Sequence, residues 1–235
     1  MTSISERLQA IRTGIRQAES AAGRAPDSVQ LLAVSKTKPA TDIREAYAAG
    51  QRLFGENYVQ EALGKMEELT DLALEWHFIG PIQSNKTRPI AEHFDWVHGI
   101  DRLKIAQRLD DARPDHLPPL NVCIEVNVSG EDSKEGVAPE EVASLAAAIV
   151  QLPRLRLRGL MTIPAPTHDP SLQQLPFRRM RELQGSLLAH GYPLDTLSMG
   201  MSEDYPAAIA EGATIVRVGT AIFGARAPKP QEHTS

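Results

Sequence analysis

The chain has 235 residues, with 25 basic and 30 acidic side chains and a formal net charge of −5. That balance argues against nucleic acid as the main partner, and no apolar stretch approaches membrane-spanning length or a signal-peptide core. The single cysteine, Cys123, allows no internal disulfide and sits in an apolar run as a small buried residue, which fits a reducing, cytoplasmic home.

Ser3-Ile4-Ser5-Glu6 has the spacing of a capping box. Ile4, Leu8, Ile11 and Ile15 continue it as a helix up to Gly23. From residue 30 onward, apolar runs alternate with helical stripes. Strands are expected at 30–35, 53–56, 75–80, 95–100, 120–128, 155–163, 196–199 and 214–218. The intervening helices carry Ile43, Ala46 and Tyr47; then Val59, Leu63, Met66 and Leu69; then a segment from about Ser84. They continue with Leu103, Ala106 and Leu109, with Val142 to Val150, with Met180, Leu183 and Leu187, and with Ala207 to Ala210. Eight strands alternating with helices is the pattern of a single-domain (β/α)8, TIM-like barrel, here with an extra N-terminal helix. A doubly wound sheet is the rival, but no G-x-G-x-x-G follows the first strand. The barrel is expected over residues 1–226, and the polar tail 227–235 is expected to be disordered.

In such a barrel the C-terminal ends of the strands converge on the functional face. Lys36 follows the first apolar run and precedes Pro39, so it stands where a buried strand opens into a loop. Taken alone it reads as a lysine snorkelling from a strand end; with a cofactor site opposite, it reads as a Schiff-base lysine. Lys38 shares its parity, but Lys36 is closer to the barrel mouth. Ser198, Gly200 and Ser202 after strand seven, with Gly219 and Thr220 after strand eight, occupy the usual phosphate-binding place of this fold. Arg217 interrupts strand eight on the face of Ile215 and Gly219. A buried guanidinium needs an acceptor, and a pyridine nitrogen is one candidate. An always-protonated partner would leave that nitrogen unprotonated and weaken the ring as an electron sink. A structural ion pair is the plainer reading. His77 and His98 lack metal spacing and read as core or supporting histidines. Glu125 and Asn127 are either interior polar residues or ligands near the mouth. Arg154, Arg156 and Arg158 read as a solvated or helix-paired row.

Six motifs in order then match a known family: Ala33–Lys38, Phe54–Glu61, Trp76–Gly80 with Gln83–Lys86, Arg158–Met161, Leu197–Ser202 and Val216–Gly224. From about residue 5 to Arg226 the chain resembles the pyridoxal phosphate homeostasis proteins (YggS/PROSC family), whose fold is similar to the N-terminal barrel of alanine racemase. The resemblance implies pyridoxal 5'-phosphate as cofactor, held as a Schiff base on Lys36. It implies Arg217 at the ring nitrogen, a phosphate around Ser198, Gly200, Ser202, Gly219 and Thr220, and Asn57 near the cofactor. Lys134 matches a loop lysine that takes part in handing the cofactor on. The sequence stops soon after Gly224, where the racemase has a further all-β domain carrying a tyrosine base. The expectation is therefore a monomeric carrier that maintains cellular vitamin B6 and delivers it to acceptor enzymes, with no catalytic residues and no metal. A racemase-type enzyme using Tyr58 or Lys134 is the first alternative. A cofactor-free Schiff-base aldolase is the second.

Overall fold

The computed structural model describes residues 2–131, 135–167 and 169–225. Lys134 and the tail 227–235 lie outside the described residues. Eight parallel strands close into a barrel in sequence order: β1 (Gln30–Val34), β2 (Leu53–Glu56), β3 (Glu75–Phe78), β4 (Trp96–Ile100), β5 (Leu120–Glu125), β6 (Leu155–Met161), β7 (Thr196–Ser198) and β8 (Ile215–Val218). β8 pairs back onto β1, with Leu32 opposite Arg217 and Ala33 opposite Val218. The (β/α)8 expectation is met, and the doubly wound rival is excluded by closure.

The extra helix is α1 (Ile4–Ala21), opened by the expected capping box: Glu6 N–H donates to Ser3 Oγ at 3.1 Å, and Ser3 N–H to Glu6 Oε2 at 2.7 Å. The barrel helices are α2 (Ala40–Ala48), α3 (Val59–Glu68), α4 (Thr87–His93), α5 (Leu103–Ala112), α6 (Val142–Ile149), α7 (Pro170–Ala189), α8 (Tyr205–Ala210) and α9 (Thr220–Phe223). Short 3₁₀ turns at Ser84–Lys86 and Pro139–Glu141 lead into α4 and α6. Among the described residues no helix is long and apolar enough to cross a membrane.

Strand alternation sends one set of side chains outward against the helices and the other into the barrel. The outward set forms one large apolar cluster with the helices, including Ala33, Phe54, Phe78, Val97, Ile124, Leu160 and Val216. The inward set is divided. Leu32, Ile79 and Ile215, with Val34 and Leu53, form one apolar group; Trp96, Cys123 and Met161 form another. Polar side chains occupy the space between.

Several expected strands run past their ladders. β5 stops at Glu125 because the chain beyond it turns to its own loop: Val137 N–H donates to Glu125 O and Asn127 N–H to Val137 O, both at 2.9 Å. Asn127 then organises that loop, accepting from Gly130 N–H at 3.0 Å and donating to Glu131 O at 2.8 Å. A register shift between β5 and β6 puts Cys123 opposite Gly159, so Arg158 is the extra residue. A side chain at 159 would sit 1.8 Å from Thr196 O, so glycine is required there. The bulge turns Arg158 onto the Trp96 ring, 4.6 Å from its centroid, while Asp195 accepts from its Nη2 at 2.7 Å. Arg158 therefore closes the barrel floor rather than joining a solvated row.

Candidate functional site

Ser35 N–H makes the last rung of β1, donating to Gly55 O at 3.0 Å. Lys36 is the first residue beyond it, half-buried, and alternation carries it onto the inward face of Leu32 and Val34. Thr37 then takes a positive φ of 64°, strained for a β-branched residue. Two contacts hold that turn: Lys38 N–H donates to Ser35 O at 3.0 Å, and Thr37 N–H donates to Glu61 Oε1 at 2.6 Å. Beneath it lies Lys65 of α3, 5% exposed. Its ammonium donates to Ser35 O at 2.8 Å, to Glu56 Oε1 at 2.7 Å and to Glu61 Oε1. Ser35 Oγ also donates to Glu56 Oε1, at 2.6 Å. Burial pushes the Glu56 carboxyl up, and Lys65 draws it back. One buried cation thus ties together both flanks of Lys36.

Lys38 is engaged elsewhere. Its ammonium donates to Phe223 O at 3.0 Å and Ala225 O at 2.9 Å, at the end of α9. The two lysines that alternation leaves level are separated by this contact.

Arg217 lies on the inward face of β8, 4% exposed. Its Nη1 donates to Ser198 O at 2.6 Å and Ser198 Oγ at 2.8 Å, and its Nη2 to Thr162 O at 2.8 Å. Those bonds use three of its five N–H groups. Burial lowers the guanidinium pKa to about 10, so it stays charged at neutral pH. Glu125 is the carboxylate whose charge acts on it most; burial raises Glu125 to about 7, with Arg217 pulling the other way. Cys123, also inside, is pushed up to about 12 by burial and stays a thiol.

The loops after β7 and β8 meet at the mouth. Gly200 has φ 94°, and a side chain there would come within 2.6 Å of Ala208 Cβ. Its carbonyl accepts from Arg217 N–H at 2.9 Å, which ties the loop after β7 to strand β8. Ser202 follows in a half-buried turn. Gly219 begins α9 without a side-chain cap, leaving the opening N–H groups of that turn to a ligand or water, and Thr220 beside it is exposed. The Ser198 hydroxyl faces Arg217 and His98 rather than this loop, so of the expected phosphate group it belongs to the arginine's surroundings. Asn57, just past β2, has a buried Oδ1 with no hydrogen-bond partner. A hollow of about 490 Å³ bordered by Ser84, Arg88 and Arg108 lies on the outer surface and lacks the lysine–arginine pair.

These features fit a phosphorylated pyridine aldehyde. There is a lysine on a braced turn, a charged and buried arginine, an unpartnered buried acceptor, and small residues where two loops converge. Each of these residues is legible in the sequence, whereas Lys65 and the bonding of His77 and His98 emerge in the fold. The signal for Lys65 was present: a cation three residues after Ala62 on the buried face of α3.

The alanine racemase N-terminal domain family matches residues 7–227. A pyridoxal phosphate homeostasis protein from Pseudomonas aeruginosa is 66% identical over 226 residues, covering 96% of this chain and 97% of that protein. One from Escherichia coli K12 is 56% identical over 230 residues, covering 96% and 98%. Among solved structures, PipY of Synechococcus elongatus with pyridoxal phosphate bound is 42% identical, with TM-score 0.83, covering 94% of this chain and all of that one. Alanine racemase from Corynebacterium glutamicum shares the fold at 18% identity and TM-score 0.65, over 63% of its own chain. This chain belongs to the pyridoxal phosphate homeostasis protein family, built on the alanine racemase N-terminal barrel.

Proposed function

We propose that this protein holds pyridoxal 5'-phosphate as a Schiff base on Lys36 and carries it through the cytoplasm, as a monomer, to acceptor enzymes. The observation that carries the reading is the pairing of β1 with β8, which puts Leu32 opposite the buried Arg217; it supports Lys36, four residues beyond Leu32 at the head of the same strand, as the cofactor lysine. The PLP-bound PipY structure supports the cofactor, and the names of the bacterial relatives support the role.

When bound, the cofactor supplies a reactive aldehyde and an electron-withdrawing ring. The chain's own residues restrain both. Lys36 holds the aldehyde carbon. Arg217 donates to the ring nitrogen and, remaining charged, does not give up its proton to it. Gly200, Ser202, Gly219 and Thr220 hold the phosphate through backbone N–H groups and hydroxyls. Asn57 supplies its side-chain amide to the cofactor's edge, and Ser198 acts by fixing Arg217. Tyr58, the sequence's candidate for a proton-transfer group, is 52% exposed, a poor place from which to steer a proton. The reading is therefore a carrier without strong catalysis of its own.

Titration of the cofactor-free protein with pyridoxal phosphate tests this. The wild type gains the visible absorbance of a Schiff base, and Lys36→Ala does not. The loaded protein activates a cofactor-free acceptor enzyme and shows no enzyme-like exchange of an amino acid's α-proton. Exchange at enzymatic rates would move the protein to the racemase reading.

A further inference from the structure

Two histidines that the cofactor reading leaves unused stand in the barrel interior. His77 on β3 and His98 on β4 are fully buried. Four hydrogen bonds join them to the site and to the opposite end of the barrel. Arg217 Nη1 donates to Ser198 Oγ at 2.8 Å, and Ser198 Oγ lies 2.8 Å from His98 Nδ1. His98 Nε2 lies 2.9 Å from His77 Nδ1, and His77 Nε2 lies 2.9 Å from Glu75 Oε1. Glu75 opens β3, and its side chain is 43% exposed.

Chemistry sets the direction of this column. Arginine can only donate, so the Ser198 oxygen accepts from it and the hydroxyl hydrogen goes to His98 Nδ1. A neutral imidazole that accepts at Nδ1 carries its proton at Nε2, so His98 donates to His77. By the same rule His77 donates to Glu75. Burial lowers His77, against the pull of Glu75 and Asp95. It holds His98 well below the ordinary value, with His77 and Arg217 acting in the same sense. The His77 hydrogen bond keeps Glu75 low and ionised. Each donor thus meets an acceptor from guanidinium to carboxylate. Two buried imidazoles are a costly way to fill a barrel, since apolar side chains of similar volume would need no such matching.

We propose that His98 and His77 are positioning residues for the cofactor site: they orient the Ser198 hydroxyl as an acceptor and so fix the Arg217 guanidinium against the cofactor ring, with Glu75 as the anchor at the far end of the barrel. This rests on the reading that Arg217 faces that ring.

The test begins on the cofactor-free full chain, by ¹⁵N NMR of histidine across pH. Both residues should be neutral Nε2–H tautomers at pH 7 and stay so below about pH 6.5, where an exposed histidine protonates. Pyridoxal phosphate titration of His98→Leu, checked as folded by circular dichroism, should then show affinity lowered on the order of tenfold, the worth of one hydrogen bond to a charged group. Its Schiff-base absorbance should also follow a shifted pH profile. His98→Gln keeps one acceptor and one donor and should restore most of both. An Nδ1–H tautomer or a charged imidazole at pH 7, or His98→Leu protein that loads like wild type, overturns the proposal. Failure of the underlying reading looks different: wild-type protein that takes up no cofactor while its histidines keep the expected tautomers.

Discussion

The layer between sheet and helices and the interior of the barrel are built on opposite rules. The outer layer is one continuous apolar cluster, in which side chains such as Leu109, Ile105 and Phe54 are wholly buried against neighbours of the same kind. The interior holds two small apolar groups parted by Arg217, Ser198, His98, His77 and Glu125. Apolar contact is non-directional and tolerates repacking. A buried polar network is not tolerant, because each unmatched group costs its full desolvation. The outer layer therefore sets stability, and the inner one sets what the mouth can bind.

Substitutions on the two sides should separate these roles. The largest effect is expected at Gly159→Ala, whose Cβ would fall 1.8 Å from the Thr196 carbonyl; backbone must move, and soluble folded protein should be lost in expression trials. Lys65→Met, which leaves Glu56 buried without its cation, should cost about 3–5 kcal/mol in denaturant unfolding and also weaken cofactor uptake by loosening the Lys36 turn. Leu109→Ala should cost about 2–5 kcal/mol yet leave cofactor affinity unchanged, because it lies only in the outer layer.

The smallest effect is expected at Glu125→Gln and depends on pH. Burial raises Glu125 to about 7 in the folded state. Its neutral form is favoured there, so its stabilising preference is complete below the unfolded value of about 4.5 and is lost as pH rises through about 7. Relative to wild type, Glu125→Gln should gain stability across that window, by about 3 kcal/mol at most, and match it in acid. A flat difference would place Glu125 outside the low-dielectric interior.

The outer layer was the legible part. Periodicity named the eight strands and most helical faces, because apolar burial leaves a repeat in the sequence. At α3 it named Val59, Leu63, Met66 and Leu69, all in or packed against the core, but missed that the buried face also takes in Ala62 and Lys65. A cation fits there only because Glu56, nine residues earlier at the end of β2, and the Ser35 carbonyl beyond β1 both accept from it. Parity put Arg217 on one face with Ile215 and Gly219, and the end of the first apolar run put Lys36 near the mouth. It could not join His77, His98 and Ser198, which come from β3, β4 and β7 and meet only across the closed barrel. The Arg158 bulge was hidden for a related reason: one extra residue inverts strand alternation and leaves no mark on composition.

The claim that one lysine at the head of β1 carries the cofactor is tested most directly by loading the protein with pyridoxal phosphate, reducing it with borohydride and mapping the modified peptide. The expected result is a pyridoxyl group on Lys36, absent in Lys36→Ala. A group on Lys38 or Lys134 instead, or none on the wild type, would contradict it.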